Sequence, residues 1–176
     1  MPTSHLVFVD DFAINTAMTR THARSPRGDR AVVTEPCNYG RSISVISALS
    51  LGGVFAPMMI EGAVNSEIFD LYVEHLLAPE LRADDLVCLD NVKFPYSARA
   101  VSLSEATGAR VEYLPAYSPD FDPIEECIAK LKTILRTLKA RTQRPLSTAL
   151  KYALAQVTTQ DIRGWFKHCG YTYSLN

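Results

Sequence analysis

The hydrophobic pattern of this 176-residue chain changes period along its length, and this change constrains the fold more than any other feature. Residues 42–51 alternate small polar and apolar side chains, a period of two that predicts a strand with one face on a core. Gly52-Gly53 follows as a hairpin turn, and residues 54–60 return as the next strand. Together with the apolar segment 5–10, they predict an antiparallel meander of three strands.

Beyond the meander the period becomes helical, and strands alternate with helices. Residues 65–77 carry apolar side chains at helical spacing, which predicts a helix with His75 on its inner face. Further strands are predicted at 86–90 and 111–114, and further helices at 97–107, from Pro123 to about Arg141, from Pro145, and at 159–168. Residues 11–29 are predicted as loop and 31–34 as a short strand. The pattern therefore predicts one α/β domain over residues 1–176, with a mixed sheet of antiparallel and then parallel strands flanked by helices.

The composition is that of an ordinary globular chain, with 47% hydrophobic and 21% charged residues. No apolar run approaches the roughly 20 residues of a membrane span, and the first residues lead directly into a strand. We therefore expect neither a membrane partner nor a signal peptide. The four cysteines are scattered without a Cys-x-x-Cys pair, which favours small buried thiols in a reducing, cytoplasmic compartment.

Acidic residues follow two of the apolar runs directly. Asp10 ends the run Leu-Val-Phe-Val, and Asp90 ends the run Leu-Val-Cys-Leu. An acid at the carboxyl end of a strand lies at the mouth of an α/β sheet, where sites are usually built. The spacing between Asp90 and Glu125 leaves room for one helix, one short strand and a loop, so Glu125 can return to the same sheet edge.

The same acids also have a purely structural interpretation. Asp122 suits the N-cap of a helix, Pro123 the first helical position, and Glu125 the third, where its side chain can reach back to the cap. Asp10 and Asp90 can likewise be residues that cap strand ends. Taken one at a time, these residues leave both interpretations open.

Taken together, three carboxylates at one sheet edge require a reason to be close, because like charges repel and raise each other's pKa values. A hard divalent cation removes that conflict, and Mg²⁺ prefers carboxylates together with waters and substrate phosphates. Two such ions, about 3.5–4 Å apart, can serve phosphodiester chemistry. The sequence contains no Gly-x-x-x-x-Gly-Lys loop, no Gly-x-Ser-x-Gly elbow and no dinucleotide fingerprint.

Positive charge is concentrated after the acidic segment, since residues 127–160 contain no acid. The candidates for contacts with phosphate are Lys130, Lys132, Arg136 and Lys139. A second basic segment, residues 20–30, is opposed only by Asp29. Solvated surface explains any one of these residues, whereas two basic segments beside a carboxylate cluster suit a polyanion held against metal ions.

Three motifs together resemble the DDE transposases of bacterial insertion sequences, in the branch related to mariner elements. They are Val-Phe-Val-Asp-Asp at 7–11, Leu-Asp-Asn at 89–91, and Tyr-Ser-Pro-Asp at 117–120 continuing through Pro-Ile-Glu at 123–125, with Lys-Leu-Lys at 130–132. That branch has two aspartates and a glutamate, with the spacing found here between the second and third acids. The resemblance covers nearly the whole chain.

The resemblance implies an RNase H-like fold and a reaction, dependent on Mg²⁺ or Mn²⁺, that cuts and joins DNA strands. Asp10, Asp90 and Glu125 match the catalytic, metal-binding acids of the family. The implied partners are DNA, as transposon ends and target, and a second copy of the chain in a homodimer. The implied location is the nucleoid of a bacterial cell.

The chain departs from the family pattern at several positions. Asp122 stands where the family usually has asparagine, Asp11 where it usually has glutamate, and Pro95 where it often has histidine. Asp11, Asn91 and Asp122 are therefore treated as possible auxiliary residues. No helix-turn-helix region precedes Asp10, so we expect an upstream DNA-binding module or product to supply sequence recognition.

Three functions stay open at this point. The first is the catalytic domain of a DDE transposase, and the second is a degenerate, inactive remnant that binds DNA or a partner. The third is another RNase H-like nuclease. Metal binding and DNA nicking would separate the first two, and a preference for DNA ends over an RNA–DNA hybrid would separate the third.

Overall fold

The computed structural model describes residues 2–20, 22–32, 42–90, 97–116 and 118–172, and these form a five-stranded mixed sheet covered by helices on both faces. The strands are β1 (Leu6–Asn15), β2 (Ser42–Ser50), β3 (Gly53–Glu61), β4 (Leu86–Leu89) and β5 (Arg110–Tyr113). Their order in the sheet is β3-β2-β1-β4-β5. The first three strands pair antiparallel, and β4 and β5 join parallel to β1, which confirms the predicted meander and mixed sheet.

The helices divide between the two faces of the sheet. They are α1 (Ser66–Tyr72), which continues as a π-helical turn at Val73–Leu77, α2 (Ala98–Glu105), α3 (Pro123–Leu138), α4 (Gln143–Ala155) and α5 (Thr159–His168). One core lies between Phe8 and Phe12 of β1 and the helices α3, α4 and α5. The other lies between Val7 and Val9 of β1 and the helices α1 and α2. Central strands buried on both faces follow from this arrangement.

β1 is longer than the sequence pattern suggested. The prediction ended the strand at Asp10 and placed residues 11–29 in a loop, but β1 continues to Asn15. Phe12 and Ile14 are buried, so the alternation continues past the acids and was obscured by Asp10 and Asp11. Of the strand predicted at 31–34, only residues 31 and 32 are described, and neither is in a strand.

β3 is an edge strand with an irregular centre. Ala56 and Pro57 of β3 lie together opposite Ser47 of β2, because the register shifts between Ile46 and Ala48. Two residues facing one is a β-bulge. Ala56 has a positive φ of 48°, and Pro57 lacks the N–H that would extend a ladder.

α3 begins and ends on local signals. Asp122 is its N-cap, with a side chain that accepts a hydrogen bond from the Ile124 N–H, and Pro123 occupies the first turn, as predicted. The helix ends at Leu138 rather than near Arg141, because Lys139 adopts the left-handed conformation at φ 51°.

The inner face of the first helix is only partly the one predicted. Tyr72 is buried as predicted, but His75 was expected in the core and is exposed, and Leu71 is 47% exposed. Phe69 and Leu77 are buried in addition to Tyr72. The π-helical turn shifts the register of the last residues, which a uniform helical period cannot anticipate. Among the described residues, no helix combines the length and apolarity needed to cross a membrane.

Shortening a side chain under α3 should destabilise the protein strongly. Leu131 is fully buried against β1, so Leu131→Ala should lower the free energy of unfolding by about 2–5 kcal/mol. Leu138→Ala, at the 44% exposed end of the same helix, should lower it by less than about 1 kcal/mol. Urea unfolding followed by fluorescence of the single tryptophan, Trp165, measures both, and equal effects would contradict the packing of α3.

Candidate active site at the edge of the central strands

Asp10 lies within β1, beside the point where β4 ends. Asp10 is 1% exposed, and its Oδ1 accepts a hydrogen bond from the Asp11 backbone N–H at 2.8 Å. β1 and β4 run parallel, and their last paired residues are Val9 and Leu89. The next position in that register is Asp10 beside Asp90, at the ~4.8 Å spacing of neighbouring strands. Asp10 was predicted at a strand end; it is the partner strand β4 that ends here.

Side-chain alternation turns Asp10 toward α3. Phe8 and Phe12, two residues to either side, both belong to the core beneath α3. Ser47 lies directly opposite Asp10 on β2 and is also 1% exposed. Asp10 and Ser47 therefore form a buried polar pair on the two neighbouring strands at the centre of the sheet.

α3 brings two more carboxylates to this edge. Glu125 stands in its first turn and is half-buried, and Asp122 at the N-cap is 4% exposed. The Asp122 Oδ1 accepts a hydrogen bond from the Ile124 N–H at 3.3 Å, and the Glu125 N–H donates to the Asp122 carbonyl at 3.2 Å. Asp122 and Glu125 thus move as one unit with the start of the helix.

The charges of three other acids act on Asp122. The pKa of Asp122 is raised from 3.8 to about 7, mainly by burial and next by the negative charge of Asp10. The Ile124 hydrogen bond opposes the shift, and the charges of Glu125 and Asp90 increase it further. Asp10, Glu125 and Asp90 therefore lie close enough to Asp122 for their charges to raise its pKa.

Asp10, Asp11 and Glu125 line one cavity of about 350 Å³ together with basic residues of α3. Lys132 and Arg136 stand on its wall, and the Lys132 Nζ lies 5.8 Å from the centre of the Phe12 ring, a cation–π contact. The cavity thus combines carboxylates at one end with cations along the other, an arrangement that can accept a phosphate backbone near the acids.

Other predicted residues lie away from this cavity. Lys130 forms an ion pair with Asp161 of α5 at 2.5 Å, and Glu126 pairs with His168 at the end of α5. Lys139 is exposed at the C-cap of α3. Asn91 lies outside the described residues, as does Pro95. Sequence reasoning could not find the two ion pairs, because their partners stand more than thirty positions away.

Across the part of the chain that is described, no three Asp, Glu, His or Cys side chains lie in an arrangement that could hold a metal ion. Asp90 and Glu125 are each half-buried.

The sequence matches the model of a known protein family. The chain belongs to the DDE superfamily endonucleases, whose family model matches residues 5–147. No protein of curated function matches the chain at a significant level.

Solved structures show the same fold. A Mos1 transposase paired-end complex with the left transposon end is 18% identical, with a TM-score of 0.72 over 96% of this chain and 53% of that one. A Mos1 mariner paired-end complex with Mn is 20% identical, with a TM-score of 0.66 over 94% and 53%. The catalytic domain of Mos1 mariner transposase is 18% identical, with a TM-score of 0.68 over 95% and 78%.

These matches confirm the predicted RNase H-like fold, with its mixed sheet and flanking helices. The chain spans about half the length of the transposase chains in the two paired-end complexes. It covers a larger share of the isolated catalytic domain, so its likeness lies in that part of the transposase fold.

Removing the charge of Asp122 should change how stability depends on pH. A folded-state pKa of about 7, above the ordinary 3.8, means that the folded protein binds more protons than the unfolded chain between those values. The free energy of unfolding therefore falls as pH rises through that window, by up to about 4 kcal/mol for a shift of this size. Asp122→Asn keeps the cap acceptor without the charge, so it should lose most of this fall.

Urea unfolding in EDTA, near pH 5 and near pH 8, measures the effect. The matched control is Asp84→Asn, which neutralises an exposed aspartate and should leave the wild-type pH dependence in place. The same pH dependence in Asp122→Asn and wild type would contradict the electrostatic coupling of Asp122 to its neighbours.

Proposed function

We propose that this chain is the catalytic domain of a DDE transposase, which cleaves DNA strands and transfers their ends in a reaction dependent on divalent metal. The observation that carries the proposal is the cavity that Asp10 and Glu125 line together with cations of α3, with Asp90 close enough to raise the pKa of Asp122 beside it. Membership of the DDE endonuclease family supports it.

The acids fit a divalent cation by their chemistry. Asp10, Asp90 and Glu125 offer carboxylate oxygens, the ligands that Mg²⁺ and Mn²⁺ accept. The pKa of Asp122 is raised mainly by burial and also by the charges of these three acids, and a cation would relieve the second of these effects. Asp10, Asp90 and Glu125 would hold two ions, with Asp11, Asn91 and Asp122 as auxiliary residues. When bound, the ions would supply Lewis-acid stabilisation of a phosphodiester and of the attacking oxygen. The Mos1 complex with Mn is consistent with this use of metal in the fold.

The basic residues of α3 would position the substrate. Lys132 and Arg136 lie one helical turn apart on the cavity wall, where they would neutralise phosphates next to the one held at the acids. Phe12 restrains the Lys132 ammonium, which lowers the cost of ordering that side chain. Lys139 would extend the contacts past the helix end, whereas Lys130 is engaged by Asp161.

DNA is the proposed partner, as transposon ends and as target. We further propose that a helix-turn-helix module, on the same polypeptide or a separate product, reads the terminal sequence and that two copies of the chain act as a homodimer. Mos1 was solved as a paired-end complex with transposon DNA, and this chain spans only about half of that protein's length. Phosphate contacts of the kind available on α3 carry no sequence information.

A remnant that binds DNA without cutting it is the second candidate. One observation favours it: among the described residues the acids do not form a ready metal cluster, and Asp122 adds a charge where the family has asparagine. Measurement of metal binding and of nicking by the same preparation distinguishes the two.

Glu125→Gln should abolish metal-dependent nicking and metal-dependent stabilisation. If Mn²⁺ binds only the folded state, it raises the free energy of unfolding by RT ln(1 + [L]/Kd), and the melting temperature rises with it. Melts with Mn²⁺ and with EDTA, and nicking of supercoiled DNA, are the measurements. Glu126→Gln is the matched control, because Glu126 is the adjacent glutamate and pairs with His168 away from the cavity.

Glu126→Gln should therefore nick DNA and bind Mn²⁺ like the wild type. If wild type and Glu125→Gln melt alike with and without Mn²⁺, the proposed metal site is wrong. If wild type binds Mn²⁺ yet does not nick DNA, the non-cleaving remnant is the better description.

The triple variant Lys132→Ala, Arg136→Ala, Lys139→Ala should bind duplex DNA more weakly regardless of sequence. Loss of up to three phosphate contacts should reduce the slope of log K against log salt by up to about 2.7. A control that removes three exposed charges outside the cavity and outside both basic segments, Arg82→Ala, Arg163→Ala, Lys167→Ala, should change it less. Fluorescence anisotropy over a salt series measures both slopes. If the two variants have the same slope, the α3 cations are ordinary solvated surface residues and do not bind DNA specifically.

A further inference from the structure

Tyr171 follows α5 in a helix-terminating motif that fixes its position. Gly170, at φ 83°, donates its N–H to the Lys167 carbonyl at 3.1 Å, and Tyr171 donates its N–H to the Phe166 carbonyl at 2.8 Å. These two bonds define a Schellman motif, in which the residue after the left-handed glycine also packs on the last turn of the helix. The Tyr171 and Phe166 rings lie 5.9 Å apart, as the motif requires.

From this position Tyr171 reaches the segment that precedes α3. Its hydroxyl donates a hydrogen bond to the Phe121 carbonyl at 2.8 Å, across fifty residues of sequence. Burial raises the pKa of Tyr171, so the hydroxyl keeps its proton and stays a donor at every physiological pH. The Phe121 side chain itself is 51% exposed, so the backbone, and not side-chain packing, is what Tyr171 holds.

Phe121 connects rigidly to Glu125. Phe121 ends a short 3₁₀ turn, in which the Asp122 N–H donates to the Pro119 carbonyl at 3.0 Å. Pro123 then fixes its own φ, and the Glu125 N–H donates to the Asp122 carbonyl at 3.2 Å. With so few free torsions between them, a displacement of Phe121 is passed on to Glu125.

The opposite side of the Tyr171 ring contacts the strand that carries Asp10. The Tyr171 and Phe8 ring centres are 5.3 Å apart, and Phe8 also meets Phe166 edge-on at 5.5 Å. Phe8 is fully buried on the same face of β1 as Asp10, two residues away. One side chain therefore touches both halves of the acidic site: the strand beneath Asp10 and the turn ahead of Glu125.

We infer that Tyr171 is a positioning residue, which sets the distance of Glu125 from Asp10 through its ring contact with Phe8 and its hydrogen bond to Phe121. The inference rests on the proposed metal-dependent function, since it assigns to Tyr171 the alignment of two metal-binding acids. It gives the segment after α5 a role in the site, although that segment carries none of the acids.

Tyr171→Phe tests the inference because it removes the hydroxyl and keeps the ring. Amide exchange followed by NMR, in EDTA, should show protection of the Ile124 and Glu125 amides falling about three- to tenfold, as expected for loss of one hydrogen bond. Titration of Mn²⁺, followed by the electron paramagnetic resonance signal of the free ion, should show affinity weakened by a similar factor of about three to ten.

Two variants complete the experiment. Tyr152→Phe removes a hydroxyl from a 53% exposed tyrosine of α4 and should change neither quantity. Glu125→Gln should reduce Mn²⁺ affinity far more than Tyr171→Phe does. Urea midpoints in EDTA establish that each variant is folded under the conditions of titration.

The outcomes separate the two hypotheses. Unchanged amide protection in Tyr171→Phe would show that the Tyr171–Phe121 hydrogen bond does not hold the start of α3, and would overturn the inference. Reduced protection with wild-type Mn²⁺ affinity would make Tyr171 a local stabiliser and overturn its positioning role. Wild-type Mn²⁺ affinity in Glu125→Gln would show instead that the proposed metal function is wrong, and the role of Tyr171 in it would fall as a consequence.

Discussion

The packing of α3 on β1 is the contact on which the site depends. Ile124, Ile128, Leu131 and Leu135 turn one apolar face of the helix toward Phe8 and Phe12 of the strand. Burying that face fixes the height and rotation of the helix, and Glu125 in its first turn is carried to the sheet edge with it. Asp10 shares the strand face with the same phenylalanines. The hydrophobic core and the acidic site are therefore two consequences of one interface.

This interface brings like charges together, at an electrostatic cost that the fold has to absorb. Burial and three neighbouring carboxylates raise the pKa of Asp122 to about 7, and this shift lowers the stability of the fold as pH rises toward that value. A cap acceptor at this position is needed to start α3, but asparagine would supply it without charge. The aspartate is thus a feature of this chain's own site, where the repulsion among acids and the initiation of α3 act on the same side chain.

Local signals accounted for most of the architecture. The strand at residues 42–51, the Gly-Gly turn and the cap at Asp122 each depend on a few neighbouring residues, and each was confirmed. The strand β2 is nevertheless buried on both faces, whereas its alternation predicted burial of one. The extension of β1 past Asp11 was missed, because two charged residues in a strand mimic its end. The inward position predicted for His75 was wrong, because a π-helical turn changes the helical period there.

The surroundings of the candidate site were less accessible to sequence reasoning. Two contacts near the site, the Lys130–Asp161 ion pair and the Tyr171–Phe121 hydrogen bond, join residues that are far apart in the sequence. The burial of Asp122 likewise depends on elements that only the folded chain brings together. Tyr171 had one local signal, the glycine before it, which marks a helix end but does not say what the next side chain will contact.

The bulge at Ala56–Pro57 has a consequence for how copies of the protein can meet. It occupies the outer edge strand, where a proline without an N–H and a left-handed alanine interrupt the row of backbone groups that another strand would need. The opposite edge, β5, is only four residues long. Among the described strands, neither rim of the sheet is a good template for intermolecular strand addition, which disfavours fibrillar self-association. Contacts between two copies of the chain would therefore have to be made by side chains rather than by strand pairing.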